Sequence, residues 1–581
     1  MSRFQTLLVS TFMILLGTMA CKTNDSSTAK EAEISLSTEG PKQSIVGKLK
    51  ENSHLSIDDQ IALYKKLKKE DLAAYDFENE DQMTMYGYGF LWSNKVKEAI
   101  QIFKLIVEEF PDSYNAYDSL AEGYLRSGDL QGALVFYRKS LKMNPDNFNA
   151  EDQIEAIMYP DRKPETPAQK FVKTFAPEEY LADLDQLGQK LLEINPSTLK
   201  FISKADFLED IEKQKAQITP QTTLAEFRWL CNKIVANVNC SHTSMGDFFF
   251  ENQLLPLVMR FPLQTRWTDG RLFVIDPLNN EGKVSIKDEI TSINGIKVAQ
   301  LLEQIYEHIP SQGHVETTKK HVFNTWSTGY IPYALGFPES YEVAIKGQTS
   351  SVELDPPART NDPLSDKSIK QCSANLCLDF TEDNSTAILT IRTFNYYTWN
   401  NFKEFTAFMD KSFADLKSKD IRKLIIDLRQ NGGGSPESSI YLLRFLAKQP
   451  FEYFEGSNYH AGQGTQTPFE VGYEGDLFFL IDGEGNSTTG HFMAIVKDLK
   501  LGTIIGEELG SNQFCTAGQT ICRLKNTKVE FYVANTVSRL ANNSLPDETG
   551  ILPDHYVTQG IEDYLNQLDA VLAFALDLAQ Q

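Results

Sequence analysis

The stretch Leu424–Ser439, LIIDLRQNGGGSPESS, joins an apolar run of strand length to three consecutive glycines. Glycine loses more conformational entropy on ordering than any other residue, so Gly432–Gly434 predict a loop. Ser435 is a favoured N-cap and Pro436 is favoured at the first helical position. The stretch therefore predicts a strand–loop–helix junction whose main-chain N–H groups approach a ligand closely. No Lys-Ser or Lys-Thr follows the glycines, which argues against a phosphate-binding P-loop.

A second junction follows the next predicted strand, where LFFLID leads into GEGNSTTGHF. Ser487 lies between the strand end and the start of a helix. The amide N–H groups after it and the helix dipole would face a developing oxyanion, as in a nucleophile elbow, although the spacing G-x-S-x-G is absent. A serine at a helix start is usually only a cap. Next to a glycine loop on the preceding strand, it is interpreted as a nucleophile with an oxyanion hole.

Strands and helices alternate on both sides of these junctions. TAILTIRTF and GTIIGEE are typical strands, and NFKEFTAFMDKSFADL and TTGHFMAIVKDL are amphipathic helices. Such alternation predicts an α/β core over residues 370–581.

Three stretches in order, LIIDLRQNGGG, LIDGEGNSTTGHFMAIVKDLKLGTIIGEE and GILPDHYV, resemble the C-terminal processing (tail-specific) serine protease family, which includes the tricorn core. The resemblance covers about residues 170–581. It implies a helical segment, a PDZ-like domain and a crotonase/ClpP-like α/β protease core. It also implies that Ser487 is the nucleophile, with oxyanion donors from Gly432 or Gly433 and from the amide of Thr488.

The sequence lacks the general base that the bacterial branch of that family uses. The lysine expected 25 residues after the serine is replaced by Asn512, which cannot act as a base. The tricorn-like branch instead uses a histidine before the PDZ-like domain, and NCSHTS places His242 there, with Ser241 as a supporting hydroxyl. A neutral imidazole with a pKa of about 6.5 suits proton transfer from a serine.

An acid that orients the base is implied within PDETGILPD, and the resemblance does not decide between Asp547 and Glu548. The alternative is that the residue simply caps a turn. His491 lies four residues after the serine, on the same helical face, and is expected to pack in the core. His555 follows a Pro-Asp pair and is expected at the surface.

The chain before the core divides into further segments. Residues 165–250 show helical spacing of apolar residues and form the N-terminal protease segment. Residues 255–358 contain IKDEITSINGIKV, which has a tight Asn-Gly turn and resembles a PDZ-like domain. Such domains bind a peptide as an added strand.

Residues 46–164 are predicted to be helical, and 80–113 and 114–147 align as two repeats with a period of 34. The matching positions are Gly87/Ala121, Ala99/Ala133, Phe103/Tyr137 and Pro111/Pro145. This pattern resembles tetratricopeptide (TPR-like) repeats, which implies a docking surface for a protein partner.

The N-terminus predicts export. Residues 1–20 have a positive start, a short apolar run and small residues before Cys21, which resembles a bacterial lipoprotein signal. Cys21 would be lipidated, residues 21–45 would form a flexible tether, and the protein would be anchored in the bacterial cell envelope.

The remaining six cysteines fall into close pairs: Cys231 with Cys240, Cys372 with Cys377, and Cys515 with Cys522. In an oxidising compartment the last two pairs are predicted hairpin disulfides. The first pair would span about 13 Å of helix, beyond disulfide reach. The spacings match no zinc site, so no metal and no cofactor is expected.

The net charge of −23 argues against nucleic acid and anionic membrane surfaces as partners, apart from the lipid anchor. The favoured function is a serine endopeptidase acting on a peptide or an unfolded protein. Two alternatives remain: an inactive scaffold of the same fold that binds a peptide or ligand, and an enzyme that uses the same nucleophile for acyl transfer or for hydrolysis of a small ester.

Overall fold

The computed structural model describes residues 43–245, 255–359, 367–398, 401–455, 462–542 and 544–581. The predicted signal peptide, Cys21 and all but the end of the tether lie outside these residues. The described chain divides into two units between Pro164 and Glu165.

The first unit is mainly helical. Its elements are β1 (Gln43–Ser44), α1 (Ile45–Glu51), α2 (Ile57–Glu70), β2 (Tyr75–Asp76), α3 (Glu80–Trp92), α4 (Val96–Glu109), α5 (Tyr114–Ser127), α6 (Leu130–Met143) and α7 (Phe148–Met158). Helices α3 and α5 begin 34 residues apart, as do α4 and α6. Gly87 of α3 packs directly on the ring of Phe103 in α4, so a small residue is needed at this helix contact.

The second unit begins with a helical segment and an antiparallel sheet. The segment consists of α8 (Pro167–Phe171), α9 (Pro177–Ile194), α10 (Lys204–Lys215), α11 (Leu224–Ala236) and β3 (Ser244–Met245). The next elements are β4 (Gln264–Thr268), β5 (Arg271–Asp276), β6 (Glu289–Ile293), β7 (Ile296–Lys297), α12 (Val298–Tyr306), α13 (Glu316–Ala334), β8 (Tyr341–Ile345) and β9 (Val352–Leu354). The strands form an antiparallel sheet in the order β4-β5-β6-β8-β9, with β7 paired to β6.

The α/β core follows. Its elements are β10 (Leu376–Phe380), β11 (Thr386–Ile391), α14 (Phe402–Ser418), β12 (Lys423–Asp427), α15 (Pro436–Leu446), β13 (Phe451–Glu452), β14 (Thr465–Gln466), β15 (Asp476–Ile481), α16 (Thr488–Asp498), β16 (Thr503–Gly506), β17 (Phe514–Ala517), β18 (Thr520–Arg523), β19 (Glu530–Val533), β20 (Thr536–Arg539), β21 (His555–Tyr556), α17 (Ile561–Leu565) and α18 (Ala570–Gln580).

The main sheet of the core has the order β10-β11-β12-β15-β16-β21, and all its pairs except β10–β11 are parallel. Alternate residues of β12 enter different clusters because side chains in a strand point to opposite faces. Leu424 and Ile426 pack with helices α14, α15 and α16, whereas Ile425 packs with α18. The sheet is therefore covered on both faces, which explains its continuous apolar strands.

The short strand β3 pairs with β19 of the core in a three-stranded sheet with β18. Through this pairing, Ser244 lies opposite Tyr532 and Met245 lies opposite Phe531. The residues just before β3 are thereby held against the core.

The cysteines follow the prediction only in part. Cys372 and Cys377 are joined in a disulfide, with a Cα–Cα distance of 5.8 Å. The predicted pairing of Cys515 with Cys522 is wrong, since both are free and buried. These two cysteines lie on successive strands that do not pair with each other, because β17 pairs with β20 and β18 pairs with β19. None of the described helices combines the length and the hydropathy needed to cross a bilayer.

Candidate active site

Two loops meet at one edge of the core sheet. Strands β12 and β15 are parallel neighbours, with Asp427 opposite Leu480. The carboxyl ends of parallel neighbours lie at the same edge of a sheet, which is where α/β proteins place their ligands. The glycine loop after β12 and the loop carrying Ser487 after β15 therefore lie side by side.

Ser487 has a backbone conformation that is unusual for a residue with a side chain. It directly precedes α16 and has φ 54° and ψ −123°. Such a conformation costs on the order of 1–3 kcal/mol and persists only where the surroundings enforce it. Its hydroxyl makes no capping hydrogen bond to the helix that it precedes, so the serine does not serve as an N-cap.

The glycine loop lies directly against this serine. Gly433 has φ 98°, and a Cβ atom there would lie 2.8 Å from the Cβ of Ser487 and 3.0 Å from the N atom of Thr488. Thr488 and Thr489, in the first turn of α16, hold the loop through their hydroxyls. The first donates to the carbonyl of Gly434 at 2.5 Å, and the second donates to the carbonyl of Asn431 at 2.8 Å.

The amides of the loop differ in their availability to a ligand. The N–H of Gly433 donates to Oδ1 of Asn431 at 2.9 Å. Within the described ranges, the N–H groups of Gly432 and Thr488 have no hydrogen-bond acceptor. Of the two glycines considered from the sequence, Gly432 is thus the one whose N–H is open in this structure.

His242 joins the same cluster from the segment before β3. Its Nδ1 lies 3.2 Å from the hydroxyl of Ser241 and 3.7 Å from the sulfur of Cys515. The side chain of Ser487 lies close enough to the thiol of Cys515 to act on its pKa. The described residues show no direct hydrogen bond between Ser487 and His242, and the thiol of Cys515 is a neighbour of both. Burial lowers the pKa of His242 to about 4, which keeps the imidazole neutral at neutral pH.

The two predicted acids do not reach the histidine. Asp547 forms an ion pair with Lys200 at 2.6 Å and accepts a hydrogen bond from Gln513 at 3.1 Å. Glu548 is exposed and contributes only its carbonyl, to the N–H of His314 at 2.8 Å. Neither carboxylate is a hydrogen-bond partner of His242 in the described residues. The charge of Asp547 is instead balanced by Lys200, which the sequence did not indicate.

The remaining candidates have structural surroundings. Asn512 is buried and donates to the carbonyls of Asp547 and Thr549 at 2.8 and 2.7 Å. His491 is buried, packs edge-on against Phe454, and has a pKa lowered to about 3 by burial and by the nearby His242. His555 lies exposed on β21. Across the described ranges, no group of three or more His, Cys, Asp or Glu side chains could hold a metal ion.

Sequence reasoning missed several residues that hold the two loops together. Asn431 directly precedes the three glycines, Asn486 directly precedes Ser487, and Asp482 accepts the N–H of Gln430 at 3.1 Å through its carboxylate. Asparagine and aspartate before a turn commonly bind nearby main-chain groups, so composition offered a weak signal for these three. Cys515 had no such signal, because its position depends on the pairing of β17 with β20.

Comparison with known proteins agrees with this geometry. Residues 385–557 match the model of the family described as Peptidase family S41, and the matched region runs from β11 to β21 and includes both loops. The core is therefore a serine-type peptidase domain. Residues 385–557 thus match an S41 peptidase domain. No curated protein matches the sequence.

Several solved structures are similar to this chain at low identity. Mature CPAF is 13% identical with a TM-score of 0.48, over 70% of this chain and 97% of that one. A putative peptidase from Parabacteroides merdae is 14% identical with a TM-score of 0.39, over 70% of this chain and 98% of that one. The photosystem II D1 C-terminal processing protease is 14% identical with a TM-score of 0.33, over 68% and 98%.

Proposed function

We propose that this protein is a serine endopeptidase of the bacterial cell envelope, with Ser487 as nucleophile and His242 as general base. The observation that carries the proposal is the strained conformation of Ser487, whose hydroxyl caps no helix and faces a glycine loop. A fold has no structural need for such strain, which is typical of a functional site.

The reaction uses the groups of this cluster in sequence. The hydroxyl of Ser487 attacks the peptide carbonyl while His242 removes its proton. The resulting oxyanion accepts hydrogen bonds from the N–H groups of Gly432 and Thr488. The imidazolium then donates its proton to the leaving amine, and water hydrolyses the acyl-enzyme by the same route.

Cys515 does not compete with the serine as a nucleophile. Burial raises the pKa of its thiol to about 12, so the sulfur stays protonated. A protonated thiol is a poor nucleophile. The thiol acts as a neutral neighbour of both catalytic groups.

In this proposal, the other segments anchor the enzyme, bind a partner and present the substrate. Lipidation of Cys21 anchors the chain in the envelope, and the tether of residues 21–45 separates the enzyme from the bilayer. The TPR-like repeats bind a protein partner, and the PDZ-like sheet of residues 255–358 presents the substrate as an added strand.

The test is labelling of the protein lacking residues 1–21 with a fluorophosphonate, which reacts with activated serines. We expect one adduct per chain by intact mass, no adduct in Ser487→Ala, and at least about a hundredfold slower labelling in His242→Ala. Comparison of peptide with ester substrates then separates a peptidase from an esterase. Absence of labelling in the wild-type protein, with retained peptide binding, would favour the inactive scaffold instead.

A further inference from the structure

Asn486, the residue before the nucleophile, bonds to the nucleophile, to the glycine loop and to the serine beside the proposed base. Its side-chain Oδ1 accepts the N–H of Ser487 at 2.8 Å and the hydroxyl of Ser241 at 3.0 Å. Its own N–H donates to the carbonyl of Asn431, at the start of the glycine loop, at 3.2 Å. One side chain thus touches the serine and the residue that supports the base.

The direction of these hydrogen bonds follows from which atoms carry protons. The amide of Ser487 can only donate, so the atom of Asn486 that faces it is the oxygen and not the nitrogen. This oxygen only accepts, so Ser241 must donate its single hydroxyl proton to it. The oxygen of Ser241 is then left as an acceptor for its other neighbour, Nδ1 of His242 at 3.2 Å.

The chain of bonds therefore determines the tautomer of the histidine. Nδ1 must carry the proton, and a neutral imidazole then has its lone pair on Nε2. In a serine–histidine–aspartate triad a carboxylate has this role. Here Asp547 is paired with Lys200, and Glu548 is exposed.

We propose that Asn486 is the positioning residue of this site, replacing the missing carboxylate through the relay His242–Ser241–Asn486. The relay rests on the function proposed above. It holds Nε2 of His242 as the base and, through the bond to the N–H of Ser487, maintains the strained backbone of the nucleophile.

A relay that ends in an amide stabilises the imidazolium less than one that ends in a carboxylate. Two titratable groups lie near His242: Cys515, whose sulfur is 3.7 Å from Nδ1, and His491 on α16. Cys240 is two positions before His242 in the chain. Burial keeps the thiol of Cys515 protonated and the imidazole of His491 neutral, so neither contributes a negative charge near neutral pH. An aspartate at position 486 would preserve both accepted hydrogen bonds and add the missing charge.

The experiment measures the rate of fluorophosphonate labelling against pH for wild type, Asn486→Ala, Asn486→Asp, Ser241→Ala and the double variant Ser241→Ala/Asn486→Ala. We expect Asn486→Ala and Ser241→Ala each to label at least about tenfold more slowly. The double variant should be no slower than the slower single variant, because breaking either link disables the relay. Asn486→Asp should retain labelling and move the acidic limb of its pH profile upward by about one unit or more.

Asn384→Asp, at an exposed turn between β10 and β11, makes the same chemical change outside the site and should leave the profile unmoved. Thermal unfolding of each variant distinguishes loss of the fold from loss of the relay. If Asn486→Ala unfolds, the isosteric variant Asn486→Asp still tests the proposal. Additive losses in the double variant, or an unmoved acidic limb in Asn486→Asp, would overturn the proposal. Labelling of Ser487→Ala would instead overturn the proposed function itself.

Discussion

At the scale of single residues, position 433 combines two requirements that only glycine meets. Its φ of 98° disfavours any side chain, and a Cβ atom would lie 2.6 Å from the carbonyl oxygen of Asn486 and 2.8 Å from the Cβ of Ser487. Both neighbours belong to the loop of the nucleophile, whose strained backbone leaves little freedom to move. The glycine therefore permits the close approach of the two loops.

We expect Gly433→Ala to reduce fluorophosphonate labelling by at least about a hundredfold, because the added methyl group displaces Ser487 from the oxyanion donors. Gly282→Ala is the matched control: its φ is 92°, and a Cβ there meets nothing within 4 Å. That variant bears the conformational strain alone and should label at the wild-type rate. Normal labelling of Gly433→Ala would show that the loops need not touch during the reaction.

The pH dependence of labelling follows from His242. Burial lowers its pKa to about 4 from an ordinary value of 6.5, and only the neutral imidazole accepts the serine proton. Labelling should therefore stay constant from pH 7 down to about pH 5 and fall as the pH drops through about 4. The rate is measured at each pH alongside circular dichroism, which identifies acid unfolding. A half-maximum near pH 6.5 with the fold intact would contradict the burial of this histidine.

The sequence indicates Ser487 and the glycine loop more clearly than the residues that surround them, for a physical reason. Ser487 and Gly432–Gly434 are local features of two strand ends, so a short window contains the relevant information. Cys515 contacts His242, and Asn486 bonds to Ser241, from segments distant in the chain, so no short window of sequence shows these contacts. The ion pair of Asp547 with Lys200 likewise depends on tertiary structure and is not visible in the sequence.

At the scale of secondary-structure elements, periodicity identified the strands that are buried on both faces and the amphipathic helices between them. Strands β12 and β15 are continuous apolar runs that are fully covered, which is the case that sequence patterns indicate most clearly. The short strands β17 and β18 carry no such pattern. Their pairing with β20 and β19 therefore had to be seen in the structure, and the expected disulfide between Cys515 and Cys522 was wrong for that reason.

Helix α3 offers a matched pair of glycines that separates packing from helix propensity. A Cβ at Gly87 would lie 2.5 Å from Cε1 of the buried Phe103, whereas a Cβ at Gly89 meets nothing within 4 Å. We expect Gly87→Ala to destabilise the repeats by about 1–3 kcal/mol through overpacking. Gly89→Ala should stabilise them by about 0.5–1 kcal/mol, because alanine favours the helix.

Hydrogen exchange of the amides in residues 80–109 of the intact chain measures both effects as changes in the free energy of local opening. Equal responses to the two substitutions would mean that Phe103 moves aside readily. In that case the small residue at position 87 would not be required by the contact between α3 and α4.

At the scale of the whole second unit, buried charges link segments that are distant in the chain. The guanidinium of Arg429 donates to Asp427 at 2.9 Å and to Asp569 at 2.7 Å, and so ties the end of β12 to the start of α18. The side chain of Asp569 also caps α18 by accepting the N–H of Leu572. Removing one member of such a network leaves an uncompensated buried charge, which is strongly destabilising.

His321 of α13 makes a second link, to the loops that follow β15 and β16. Its Nδ1 lies 3.2 Å from the carboxylate of Glu484, and its Nε2 lies 3.1 Å from that of Glu507. Burial alone would lower the pKa of His321, but the hydrogen bonds and the charges of the two carboxylates raise it to about 10. The imidazolium therefore stabilises the packing of α13 against the core.

The pH dependence of stability follows from the sign of that shift. Because the folded-state pKa lies above the ordinary value of 6.5, the contribution of His321 is complete below about pH 6.5 and is lost as the pH rises through 10. Hydrogen bonds to charged groups contribute about 1.5–3 kcal/mol each, so the unfolding midpoint in urea should fall measurably between pH 6.5 and 10.

In His321→Gln, which has no charge to lose, the midpoint should be lower at pH 6.5 and nearly constant up to pH 10. His555→Gln, which replaces an exposed histidine on β21, should behave as the wild type does. If the wild type and His321→Gln showed parallel curves, the link between α13 and the core would not depend on the charge of His321.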